Sequence, residues 1–110
     1  QREITHYIRL RLLENLVTPP SLTDLAEELH LRPETLIRIF YKDVGITPKA
    51  FINNVRIERA KLLLRQGESI VDAAQQTGFS DQSHFHKLFV LNNAATPRQY
   101  QLSRSISDNN

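Results

Sequence analysis

The two halves of this 110-residue chain carry one pattern. Ser21, Leu22, Asp24, Ala26 and Leu31 recur 48 positions later as Ser69, Ile70, Asp72, Ala74 and Phe79. From there the offset becomes 49, and Leu36, Phe40, Thr47, Pro48 and Phe51 recur as Phe85, Phe89, Thr96, Pro97 and Tyr100. One residue has therefore entered the second copy near the start of its second helix. Two copies are too few for a stacked solenoid, which needs at least about three, so the pattern describes a duplicated motif.

Each copy has the grammar of two short helices joined by a tight turn. Ser21 with Asp24, and Ser69 with Asp72, are shortened capping boxes ahead of an apolar stripe at helical spacing. A small residue, Ala26 or Ala74, stands where the second helix must approach the first closely. Gly78 supplies the positive φ such a turn requires, and the first copy has His30 there, which tolerates it less well. The rest of the chain is punctuated in the same way. A first helix is expected from about Ile4 to Val17, ending before Thr18-Pro19-Pro20. Others are expected from Pro33 to Gly45, Pro48 to Arg65 and Asp81 to Leu91, with a last short turn from Thr96-Pro97 and a frayed tail. No segment alternates as a half-buried strand would. The expected class is all-α, about seven helices forming two helix-turn-helix subdomains joined by a long central helix.

Composition narrows the function classes. With no cysteine there is no disulfide frame, thiol nucleophile or thiolate zinc site. No Gly-rich phosphate loop and no acid pair tied to a nucleophile is visible, so an enzyme is not expected, nor any cofactor. His84 and His86, two apart on a helix, point in different directions and do not make a chelating pair. No apolar run reaches the ~20 residues that span a bilayer, and QREITHYIRL lacks the layout of a signal peptide. A cytoplasmic protein is the expectation. The net charge is only +2, but residues 1–65 hold eleven basic and eight acidic side chains against three and four in residues 66–110. Such a chain can meet a polyanion without being dominated by charge.

SIVDAAQQTGFSDQSHFHKLF followed by TPRQY resembles the DNA-binding domain of the AraC/XylS family of bacterial transcription regulators. LHLRPETLIRIFYKDVGITPKAF and RIERAKLLL fit the same pattern. The resemblance implies a domain over residues 1–101, with helix-turn-helix subdomains at 3–45 and 67–101, a linker helix at 48–66 and a flexible tail at 102–110. It implies that each second helix enters a successive major groove of double-stranded promoter or operator DNA. It also implies contact with RNA polymerase, mostly for activation. An isolated domain of this kind is expected to be monomeric, and the full-length protein to dimerise through an N-terminal part that senses a small molecule.

Subtracting the buried stripe from each second helix leaves the face that can enter a groove. In the first, removing Leu36, Ile39 and Phe40 leaves Glu34, Thr35, Arg38 and Tyr41, with Arg32 at the entry. Arg38 can donate two bonds to guanine, worth roughly 1–3 kcal/mol of discrimination. Glu34 can accept from a cytosine amine or simply favour the helix start. In the second, removing Phe85, Leu88 and Phe89 leaves Gln82, Ser83, His86, Lys87 and Val90. Any of these is either a base reader or a solvated surface residue, and Asp81 reads as a cap.

Lys42, Lys49 and Arg98, with helix N-termini, are the expected phosphate contacts. Arg56, Arg59 and Lys61 are expected to pair with carboxylates such as Glu58 or lie along the core. The chain departs from the family at Val90 and Leu91, where lysines are usual, and at Ala94, where glycine is. Arg32 stands where a serine cap is common, at a local cost of about 1 kcal/mol. The rival reading is a small helical protein-interaction module without sequence-specific DNA binding.

Overall fold

In the computed structural model, which describes residues 2–109 and the side chains of residues 2–104, seven α-helices follow one another. They are α1 (Arg2–Leu13), α2 (Leu22–Glu28), α3 (Pro33–Val44), α4 (Pro48–Arg65), α5 (Ile70–Gln76), α6 (Gln82–Asn93) and α7 (Pro97–Asn109). The chain divides into two units between Ile52 and Asn53, inside α4.

In the first unit, α1, α2, α3 and the beginning of α4 enclose Ile8, Leu12, Leu25, Ala26, Leu36, Phe40 and Ile52. In the second, the remainder of α4 with α5, α6 and α7 encloses Ile57, Ala60, Leu64, Ala73, Ala74, Phe79, Phe85 and Phe89. A fully buried Leu or Phe is worth roughly 1.5–3 kcal/mol, more than the ~1 kcal/mol of a cap. The apolar stripes therefore decide which face turns inward, and the caps decide where each helix begins.

The caps fall where the sequence places them. Ser21 and Ser69 Oγ accept from the N–H of Asp24 and Asp72, both at 3.0 Å. Thr47 Oγ1 accepts from Ala50 N–H at 3.1 Å. Thr96 and Gln99 form a full reciprocal box, with bonds of 3.0 and 2.9 Å. Both turns after the first helix of each motif close in the same way: Leu31 N–H reaches Ala26 C=O at 2.8 Å, and Phe79 N–H reaches Ala74 C=O at 3.0 Å. This six-to-one closure needs a left-handed residue, supplied by His30 (φ 58°) and Gly78 (φ 103°).

Two boundaries differ from expectation. α1 ends at Leu13 rather than Val17, because Asn15 Oδ1 accepts from the N–H groups of Val17 and Thr18 and offers the backbone a turn in place of a helix. At the other end, α7 is not a short turn: its backbone stays helical through Asn109, into the segment expected as a tail. No glycine or proline interrupts residues 98–109, so nothing forces a stop.

The duplication extends to aromatic packing. Phe40 meets Phe51 edge-on at 5.6 Å and 70°, and the matching pair, Phe89 and Tyr100, meets at 5.6 Å and 68°. A cation from the first helix of each unit covers the second ring: Arg9 lies 5.8 Å over Phe51, and Lys61 lies 5.6 Å over Tyr100.

Candidate nucleic-acid interface

The sequence of α3 dictates an asymmetric helix. Leu36, Ile39 and Phe40 are buried, while Glu34, Arg38, Tyr41 and Lys42 are exposed. Arg38 and Tyr41 stand one turn apart, and Tyr41 is 56% exposed, a large share for an aromatic side chain. Thr35 is half-buried, so less of it is open to a partner. Arg32 occupies the cap position in extended backbone and gives no side-chain cap bond. Its guanidinium has no acceptor atom to offer the helix start; the Thr35 and Leu36 N–H groups bond the Arg32 carbonyl instead, both at 3.0 Å, and a positive charge stands at one end of the exposed face. Lys49, in the first turn of α4, is exposed as well.

In the second unit, four of the sequence-derived candidates come together. Gln82, Ser83, His86 and Lys87 line one open depression of about 370 Å³ together with Phe85, Ile70 and Pro97. Ile70 and Pro97 are the first residues of α5 and α7. Two helix starts therefore border the outer face of α6, and Arg98 follows Pro97 on the surface. Sequence periodicity identifies the α6 residues but not these two neighbours, whose placement depends on how three helices pack. Asp81 acts as a cap: its Oδ1 accepts from Ser83 N–H at 2.9 Å and from His84 N–H at 3.4 Å. His84 lies edge-on to Phe79 at 5.9 Å while His86 lines the depression, so the two imidazoles serve different surroundings.

Three basic residues of α4, Arg56, Lys61 and Arg65, make contacts within the fold, while Arg59 is exposed. Arg56 lies 5.7 Å over the Phe79 ring, and its partial burial lowers its pKa. Lys61 pairs with Glu58 at 3.3 Å besides covering Tyr100. Tyr100 is a hub, since Arg65 Nη1 donates to its hydroxyl at 2.8 Å and Arg104 lies 5.7 Å over its ring. Gln101 Nε2 then donates to the carbonyls of Leu64 and Glu68 at 3.1 and 2.7 Å, so α7 covers one carbonyl in the last turn of α4 and one in the segment that follows it.

In the first unit α2 is tied to α1 by charge. Arg11 donates from Nε and Nη2 to the two Glu28 carboxylate oxygens at 3.0 and 2.8 Å, and from Nη1 to Glu14 at 3.0 Å. Tyr7 hydroxyl donates to the same Glu28 carboxylate. The bonds from Arg11 first, and then from Tyr7, hold the Glu28 carboxyl down to about 2, and donating to Glu28 raises the pKa of Tyr7.

Among the described residues no helix is long and apolar enough to cross a membrane, and no three His, Asp or Glu side chains gather as metal ligands.

Comparison with known proteins gives one answer. Residues 25–103 match the family described as "Helix-turn-helix domain". The chain is 47% identical over 73 residues to the uncharacterized HTH-type transcriptional regulator YbfI of Bacillus subtilis, a match covering 66% of this chain and 26% of that protein. It is 37% identical over 81 residues to the HTH-type transcriptional activator RhaS of Escherichia coli, covering 73% and 29%. The chain thus spans less than a third of the length of the curated relatives it matches. Among solved structures, an AraC-type DNA-binding domain-containing regulator from Chromobacterium violaceum superposes with a TM-score of 0.83 at 27% identity, over 94% of this chain and 93% of that one. With the paired motifs, their closing turns and their aromatic pairs all repeated, this chain belongs to the helix-turn-helix domain family, and within it to the AraC type.

Proposed function

We propose that this chain is the DNA-reading part of a bacterial transcription regulator, with α3 and α6 each entering a major groove of one duplex. The observation that carries the reading is the duplication: two helix-turn-helix motifs of the same closure, each leaving the polar face of its second helix uncovered. Arg32, Glu34, Thr35 and Arg38 read bases in one box, and Gln82, Ser83, His86 and Lys87 read bases in the other. Lys42, Lys49 and Arg98 hold phosphates and set register. The first box carries more of the charge-assisted readout, because α3 offers Arg38 while the outer face of α6 offers one cation, Lys87.

The relatives named above are transcription regulators, RhaS an activator. The corresponding role here is control of transcription in the cytoplasm through RNA polymerase, with dimerisation residing in parts of the protein beyond this chain. Selection of bound sequences from a random duplex library, followed by affinities at two salt concentrations, tests the reading. Two boxes about 10 base pairs apart, bound with affinity that falls steeply with salt, are expected. Absence of enrichment with weak, salt-insensitive binding would replace it with a protein-interaction module.

A further inference from the structure

The two flanks of α1 are treated differently by the fold. On one, Arg11 is fully engaged by Glu28 and Glu14. On the other, Arg2, His6 and Arg9, spaced at i, i+4 and i+7, line an open depression of about 360 Å³ with Thr5, Asp43 and Val44. None of these three has an ion-pair partner among the described residues. Asp43, the one carboxylate at the depression, accepts a hydrogen bond from the Thr5 hydroxyl at 2.6 Å. A helix that neutralises one arginine with two carboxylates and leaves two others beside an imidazole, unpaired around a concave surface, has that second flank free for an external anion.

The position of this flank selects the anion. Asp43 and Val44 are the last two residues of α3, and Lys42 precedes them. Arg9 lies over Phe51, two residues after Lys49 in the first turn of α4. The unpaired cations of α1 therefore border the same helix ends that carry the proposed phosphate contacts Lys42 and Lys49. We infer that Arg2 and Arg9, with His6 between them, bind phosphates of the same duplex, extending the first unit's grip past the end of the box that α3 reads. The inference rests on the DNA-binding reading above and adds a backbone clamp that carries no base preference.

The test is the salt dependence of binding to a selected duplex, using the chain with Arg2→Gln and Arg9→Gln together. Each lost phosphate contact lowers the magnitude of the slope of log K against log salt by about 0.9. The double variant is expected to lose about 1.8 in slope and to bind more weakly at low salt, with the same base preferences. A second readout needs no mutation. Trimming the duplex by about one turn on the outer side of the first box is expected to lower the wild-type slope by a similar amount and to abolish the difference between wild type and variant. If wild type binds with a steep slope that neither change alters, the α1 clamp is overturned and the groove reading stands. If wild type shows no salt-dependent binding at all, the groove reading has failed and the clamp fails with it.

Discussion

Ala94 and Gly45 hold the same structural place. Each ends the second helix of its motif in left-handed backbone, with φ of 55° and 90°, and each donates its N–H to the carbonyl four residues back at 2.8 Å. A Cβ at Gly45 would meet nothing within 4 Å, so space is not what favours glycine there; the backbone angle is. Left-handed backbone costs a non-glycine residue roughly 1–2 kcal/mol, partly offset by the greater entropy glycine loses on folding. Ala94→Gly is expected to stabilise the chain by about 0.5–1 kcal/mol and Gly45→Ala to destabilise it by about the same. Urea denaturation reads both, and an unchanged midpoint for Ala94→Gly would show that α6 ends without strain.

Removal of Arg38 is expected to act on specificity before affinity. Arg38→Ala should lower discrimination at one base pair of the first box by roughly 1–3 kcal/mol. Lys42→Ala should instead weaken all sequences alike and reduce the salt slope by about 0.9. Binding titrations against single-base variants of a selected site separate the two. Equal behaviour of both variants would remove Arg38 from base reading.

The Glu28 carboxyl gives the first unit an acid-sensitive tie between α1 and α2. Its folded pKa is about 2 against an ordinary 4.5, lowered first by Arg11 and then by Tyr7. A depressed carboxyl contributes stability above the unfolded value and loses it as the group protonates in the fold. The contribution is therefore complete above about pH 5 and lost as pH falls from 4.5 through 2. Exposure to solvent keeps it small and salt-dependent. Glu28→Gln is expected to melt below wild type at pH 7, with the gap closing as pH falls toward 2. A constant gap would mean that the carboxylate charge contributes nothing.

Tyr100 combines a ring that packs with a hydroxyl that only touches the surface. Its bond to Arg65 is exposed, so Tyr100→Phe is expected to cost under about 1 kcal/mol. Tyr100→Ala removes the half-buried ring that meets Phe89, at a cost of about 2–3 kcal/mol. Thermal melting of the two variants distinguishes ring from hydroxyl, and equal losses would place the effect in the hydrogen bond.

What the sequence made legible follows from how locally each feature is determined. Helix starts at Ser21, Ser69, Thr47 and Thr96 were readable because a cap bonds only two or three residues ahead. The outer face of α6 was readable because subtracting Phe85 and Phe89 from a helix needs nothing beyond periodicity. The early end of α1 was missed because Asn15 looks like any polar helix residue until its side chain is seen to bond forward. Longer-range features left no local trace. Tyr7 and Glu28 are 21 residues apart, and Gln101 reaches carbonyls 33 and 37 residues back. The cationic flank of α1 is likewise visible only once α3 and the first turn of α4 are packed beside it. Arg56 and Lys61 went to structural roles as expected, since aromatic partners and Glu58 lay within reach.

The division inside α4 has a consequence for how the chain loses its structure. Ile52 belongs to one core, while Ile57, Ala60 and Leu64 belong to the other, and the segment between them is unbroken helix. Melting either core strips the apolar cover from part of a helix whose hydrogen bonds run on into the other. Short isolated helices are marginal in water, so the exposed part has little reason to persist alone. Loss of one apolar interior therefore unravels α4 back to the turn that the other interior still covers.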